Sequence, residues 1–299
     1  MSNGTITMSR LGSMGRFANQ VIQYMFLKTY AQEHGLTVQT PAWCGQTLFG
    51  ASDSEIDRDL PLFEELFDKD RGRCVIPQLD EHLRDVNVSG YFQYHSSYYH
   101  PHQKLIQKLF RPLPALRDQL QPGIDRLRQL GKTVVALHIR RGDYGIEYFY
   151  RTPCSWYLEL LDELWDRFDS PVLFIASDEP RAVTREFASY SPVTAGDLGM
   201  KLPAAPFFPD FHVLTNADVL VMPNSSFSFS AAMLNQNLQQ CWRSKLSDPL
   251  GSPPFQQIDP WNADFLDTSA RVQDFPGIAG ISRPPKRRWY NQLFSRKAA

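Results

Sequence analysis

The segment with the most concentrated chemistry is His138-Ile139-Arg140-Arg141-Gly142-Asp143-Tyr144. It closes an unbroken β-branched and apolar run, Thr133–Ile139. Such a run reads as a strand buried on both faces, so the two arginines fall at its C-terminal end. Guanidiniums there suit a diphosphate, because they match planar anionic oxygens and keep their charge at neutral pH. The plainer alternative is an Arg–Asp pair that closes a loop. A second candidate is Asn224-Ser225-Ser226-Phe227-Ser228, where the short strand Val219–Met222 gives way to a helix of small residues. Free N–H groups and hydroxyls at a helix start hold anions. Simple capping by Asn224 or Ser225 would occupy the same turn. A third, Ser177-Asp178-Glu179-Pro180, follows the buried run VLFIA. Asp178 there is either a contact to a ribose or base N–H, or part of a helix cap. Asp210, just ahead of a predicted helix, reads on its own as a cap.

What is missing narrows the chemistry. The chain has no dinucleotide-binding G-x-G-x-x-G, no Walker A loop, no G-x-S-x-G elbow and no H-E-x-x-H. Its two D-x-D tripeptides, Asp57-Arg58-Asp59 and Asp68-Lys69-Asp70, sit in a charged, irregular stretch and read as solvated surface. Phosphate charge is therefore expected to fall to arginines and backbone, with no metal and no cofactor. Cys44, Cys74, Cys154 and Cys241 lie far apart without metal-ligand spacing and read as reduced thiols. With 31 basic and 32 acidic residues the net charge is −1, which argues against a nucleic-acid partner held by bulk phosphate neutralisation. No apolar run is long enough to span a bilayer, and the first 25 residues lack the order of a signal peptide. The expectation is a cytoplasmic protein. Its basic tail from Arg283 is read as a frayed end, with attraction to the inner membrane surface as the alternative. Nothing in the residues indicates an oligomeric state.

The elements that would position these groups form α/β units. Gly4–Met8 reads as a strand, a Gly-punctuated turn follows, and a helix runs from about Asn19 to His34. Leu36–Thr40 is the next strand, residues 41–88 are irregular, and Val86–Phe92 is another strand. Residues 102–130 read as helical with breaks at Pro112, Pro114 and Pro122. Beyond Gly131 the predicted order is strand Thr133–Ile139, helix Trp156–Phe168, strand Pro171–Ala176 and helix Arg181–Tyr190. Helix Phe211–Ala217, strand Val219–Met222 and helix Ser226–Asn235 complete it. This predicts two α/β halves, residues 1–130 and 131–299, with ligands beyond the strand C-termini.

Together the strand-end motifs resemble the α-1,2-fucosyltransferases of glycosyltransferase family 11. HIRRGDY at 138–144 is similar to that family's most characteristic motif. Gly15-Arg16-Phe17-Ala18-Asn19-Gln20 with Gln23-Tyr24, Gly90-Tyr91-Phe92-Gln93, and Asn224 to Ser228 resemble three others, in order. Ala18 stands where Gly is common, and Phe229-Ser230 where Trp-Trp is usual. The resemblance implies a GT-B fold of two facing Rossmann-like domains, an acceptor-side domain (1–130) and a GDP-sugar-binding domain (131–299). It implies metal-independent, inverting transfer of fucose from GDP-fucose to a galactose-terminated oligosaccharide. Carried over by position, Arg140 would hold the β-phosphate with Arg141 beside it. His138 and Asp210 would read guanine, Ser225 and Ser226 would hold phosphate, and Asp178 would contact the nucleoside. Arg16, Asn19 and Gln20 would face the sugar or acceptor. Asp143 and Glu147 both remain open as general base. The GRFxNQ form also resembles protein O-fucosyltransferases, so a peptide hydroxyl is an alternative acceptor. A non-catalytic GDP-sugar- or glycan-binding protein on the same fold is another alternative.

Overall fold

The structure is a computed structural model. It describes residues 4–65, 67–68, 73–74, 76, 79, 81–246 and 254–274. The first half begins with β1 (Thr5–Thr7), α1 (Phe17–His34), β2 (Thr37–Gln39) and α2 (Cys44–Phe49). It continues with β3 (Leu62–Glu64), the two-residue strands β4 (Phe67–Asp68) and β5 (Arg73–Cys74), and β6 (Val86–Ser89). Helices α3 (Gln103–Leu109) and α4 (Pro114–Leu130) lead to the second half. That half contains β7 (Thr133–Ile139), α5 (Cys154–Leu164), β8 (Pro171–Ser177), α6 (Pro180–Glu186) and α7 (Phe208–Leu214). It ends with β9 (Val219–Met222), α8 (Ser226–Leu234), β10 (Gln240–Ser244) and β11 (Phe255–Gln257).

Two open sheets result. The first, in the order β2-β1-β6-β3, is wholly parallel; the second, β11-β10-β9-β7-β8, is parallel except for its β11 edge. β7 sits between β9 and β8 and is buried over all but its first residue, as its TVVALHI composition requires. β4 pairs with β5 in a separate antiparallel ladder.

α4 continues through Pro122, where the sequence suggests a break. Leu116, Leu120, Ile124 and Leu127 form its buried stripe. Pro122 and Asp118 are exposed, so the carbonyl that loses its bond to a proline nitrogen faces water. Although the sequence assigns α4 to the first half, it packs on the second. Arg128 pairs with Asp218, Arg126 binds the Leu198 carbonyl, and Gly123 lies against Met200, where a Cβ would meet Cγ at 2.2 Å. Past β11 the chain returns to the first half, where Ala263 and Ser96 exchange hydrogen bonds and Phe265 meets Tyr99 edge-on. One hydrophobic core therefore runs through both halves.

The element starts at 44, 62, 240 and 255 were not read from sequence. All four elements are short, and β3 and β11 present mostly exposed or half-buried residues without periodicity. Asp57 and Asp59 are exposed in a loop; Lys69, Asp70 and the basic tail lie outside the described residues. Cys44, Cys154 and Cys241 are free thiols among the described residues, while the Cys74 side chain lies outside them. Among the described residues no helix is long and apolar enough to cross a membrane.

Candidate active site

Arg140 leaves the C-terminal end of β7 with its guanidinium largely shielded. Its Nε and Nη2 donate to Asp143 Oδ1 at 3.0 and 2.6 Å, and Nη1 lies 3.1 Å from Asp178 Oδ2. Burial works against its charge, but Asp178 and Asp143 overcome that and leave its pKa raised. Arg16, at the N-terminal boundary of α1, extends from the other half to Asp143 Oδ2 at 3.3 Å. Burial alone would raise the Asp143 pKa; Arg140 and Arg16 outweigh it and hold the carboxyl below its ordinary range. Two arginines and two aspartates thus form a charge-balanced quartet. Two of the five N–H donors of Arg140 hydrogen-bond to Asp143, and Nη1 pairs electrostatically with Asp178.

Arg141 does not stand beside Arg140 as a second clamp. Its guanidinium turns back to the Thr152 carbonyl at 2.7 Å and Cys154 Sγ at 2.6 Å, while its own N–H donates to Asp178 Oδ1 at 2.9 Å. Successive side chains leave an extended backbone on opposite sides, so adjacent arginines diverge. Asp178 is correspondingly a clamp on this turn: both its oxygens are used, and a Cβ on Gly142 would lie 2.5 Å from Oδ2.

α8 starts against the same turn. Ser225 is its N-cap and accepts from the Phe227 N–H at 3.3 Å, leaving the Ser226 hydroxyl 3.5 Å from Asn19 Oδ1 across the cleft. Asn19 also accepts from Gln93 at 2.9 Å. Gly15 makes that placement possible: it has φ +79°, and a Cβ there would lie 2.6 Å from Asn19 Nδ2. Gln20 does not face the cleft. It is buried, donates weakly to the Gly12 and Gly15 carbonyls and accepts from Cys44, so it shapes the turn.

His138 is buried behind the first turn of α8, with Nδ1 2.8 Å from Ser228 Oγ and its ring 5.3 Å from Phe227. Burial, then Arg140, pushes it down to about 3, so it is a neutral imidazole. The Phe227 ring also contacts Phe211, the neighbour of Asp210 in the first turn of α7. Burial pushes the Asp210 carboxyl up to about 7, opposed only by a backbone hydrogen bond from Ser177 at the end of β8. An acid with one donor and unused acceptor capacity is suited to a ligand that brings N–H groups.

Glu147 is exposed, on a left-handed backbone with φ +50°, at a hairpin-like tip closed by Ile146 and Phe149. Sequence reasoning missed what holds this loop. Arg151 donates to the Tyr144 and Gly142 carbonyls at 2.9 Å each, and Tyr144 donates to the Asn224 carbonyl at 3.0 Å. Asn224, fully buried, does not cap α8. It donates to the Tyr148 and Asp267 carbonyls and accepts from the Asp267 N–H, lacing three segments together. On the first half, a concavity of about 300 Å³ lies where β3 and β6 end, lined by Arg10, Met14, Glu64, Glu65, Ser89, Gly90 and Tyr91. Glu65 caps the Tyr91 and Phe92 N–H groups, and a Cβ on Gly90 would collide with it. The GYFQ run is thus explained by Gly90 for that approach, Phe92 for its stack on Phe26 at 4.1 Å, and Gln93 for Asn19.

Residues 80–239 match the description of glycosyl transferase family 11, more than half of the chain. The chain belongs to that family. This family 11 chain is 27% identical over 249 residues to galactoside alpha-(1,2)-fucosyltransferase 2 of Oryctolagus cuniculus, covering 75% of this chain and 66% of that protein. It is 28% identical over 251 residues to the Rattus norvegicus protein of the same name, covering 76% and 67%. Its fold is similar to that of NodZ alpha-1,6-fucosyltransferase soaked with GDP-fucose. The TM-score is 0.58 at 12% identity, covering 86% of this chain and 99% of that one. A mutant of Arabidopsis thaliana FUT1 in complex with GDP gives a TM-score of 0.56 at 11% identity, covering 90% and 78%. The fold is thus of GT-B type.

Proposed function

We propose that this family 11 protein transfers L-fucose from GDP-fucose to the 2-hydroxyl of a terminal β-galactoside, with inversion and without a metal. The observation that carries the reading is Arg140 at the end of β7, beside the α8 start and joined through Asp143 to Arg16 of the other half. The chain spans 66% of the rabbit relative's length, and the relative's named activity supports the choice of linkage.

In this reading GDP leaves C1 of fucose while the acceptor hydroxyl attacks from the opposite face, and charge grows on the β-phosphate. Arg140 exchanges Asp143 for the phosphate, so its pairing strengthens as the leaving group becomes more anionic. The α8 N–H groups and the Ser226 hydroxyl supply the remaining donors. Release from Arg140 returns Asp143 toward its ordinary pKa and leaves it a better proton acceptor, so donor binding would ready a base. Glu147 remains the other candidate. The acceptor enters by the concavity of Arg10, Glu64 and Tyr91. Asp210 accepts the N1–H and N2–H₂ edge of guanine, a donor pair that adenine and uracil lack.

The test is incubation with GDP-fucose and lactose in EDTA. The expected product is an α1,2-fucosylated lactose. Transfer to a peptide hydroxyl instead would replace the acceptor, GDP binding without transfer would replace the enzyme by a binding protein, and loss of activity in EDTA would remove the charge scheme.

A further inference from the structure

A cavity of about 520 Å³ lies on the face of α7 opposite Asp210. It is walled there by Phe208, Phe211, His212 and Thr215, and opposite by α3 and the turn after it. Four basic side chains line it: Lys104, Lys108, Arg111 and Arg117. No Asp or Glu is among the lining residues, and among the described residues none of the four forms an ion pair. The structural alternative is that they offset the C-terminal ends of α3, α7 and α8, which meet here. Each end carries about half a negative charge at most, so about 2.5 positive charges are left unmatched. In a chain of net charge −1 that is a marked local excess.

A second observation points to a ligand. His212 is only 6% exposed, lines the cavity, and its Nδ1 has no partner; Arg117 Nε is buried and also without one. Buried polar atoms are rarely left unsatisfied in a finished structure. Arg117 Nε is a donor without an acceptor, and Nδ1 of the neutral His212 donates or accepts according to its tautomer. The volume is within the usual range for a small-molecule site.

We propose that this cavity is a second anion site, separate from the donor cleft, that takes a small soluble ligand carrying two phosphate-type groups. Two such groups match the unmatched charge, and their oxygens accept from the exposed Lys104, Lys108 and Arg111. The floor of phenylalanines is almost wholly buried, so recognition falls to the cations and not to an apolar body.

The probe is inorganic pyrophosphate in isothermal titration against three proteins: the full chain, Arg140→Gln, and the double variant Lys108→Gln/Arg111→Gln. Lys108 and Arg111 are exposed, so their replacement leaves the fold intact, which a ligand-free melting curve checks. Arg140→Gln should retain a saturable binding event that the double variant weakens by about tenfold or more, as expected for lost charged hydrogen bonds. Equal binding by the double variant and the full chain would overturn the site. So would loss of all binding in Arg140→Gln. Sedimentation with phosphatidylglycerol vesicles separates the sources of phosphate: the protein should stay in the supernatant, and pelleting abolished by the double variant would overturn a soluble ligand.

Discussion

Donor affinity should rise with pH through one carboxyl. Asp210, pushed up to about 7, is the group that must be ionised to accept the guanine N–H edge. His138 at about 3 and His212 at about 4 are already neutral above pH 6, and Asp143 is held ionised. If only the carboxylate binds donor, the association constant scales with its ionised fraction. That fraction is about one in eleven at pH 6 and about ten in eleven at pH 8, so affinity should rise about tenfold across this window and flatten above it. The ligand must be GDP-fucose and not GDP, because a terminal phosphate itself titrates near pH 6. Isothermal titration without acceptor reads the effect. Binding at pH 7 should also release about half a proton, seen as a dependence of the heat on buffer ionisation. Asp210→Asn should weaken binding at pH 8 by about 10–100-fold, the worth of a hydrogen bond to a charged group, and should flatten the slope. A constant affinity from pH 6 to 8 in the full chain, or the same slope in Asp210→Asn, would refute the assignment.

The same carboxyl costs stability when no donor is bound. Its pKa is higher folded than unfolded, so the unfolded chain gives up the proton first. Stability then falls as pH rises from about 4 to 7 and is level above. The rise from 3.8 to about 7 sets an upper bound of about 4 kcal/mol. Ligand-free Asp210→Asn should therefore exceed the wild type in chemical denaturation at pH 8 and match it near pH 4. Arg140→Lys keeps a charge but not the planar fork, and should lower kcat by about 10²–10³ in a coupled GDP-release assay. Asp143→Asn and Glu147→Gln separate the base candidates: the variant of the true base loses the acid limb of its kcat–pH profile, and the other keeps it. Asn224→Ala strips two carbonyls and one N–H of half-buried segments of their partner, and should cost about 2–4 kcal/mol on thermal melting.

These residues also mark how far the sequence can be read. β7 and β9 were legible to the residue, because a strand buried on both faces needs a continuous apolar run and little else writes one. β10 and β11 have no such signature: QCWRS is half-buried, and FQQ is an edge strand that buries only Phe255, against Tyr157. The site divides along the same line. Arg140 follows from one local fact, its position at the end of a buried strand. The divergence of Arg141 depends on Thr152 and Cys154, more than ten residues on. Asn224 is set by Asp267, 43 positions away, and Asp178 by a turn 37 positions earlier. A residue type names the bonds a side chain can make, but which of them it makes is decided by whatever the fold delivers to it. Asp210 is the clearest case. Locally it is only an acid at a helix start, where the dipole would lower its pKa. Burial raises the pKa instead, against a backbone hydrogen bond from β8 that lowers it, and that reversal is what suits it to a neutral donor edge.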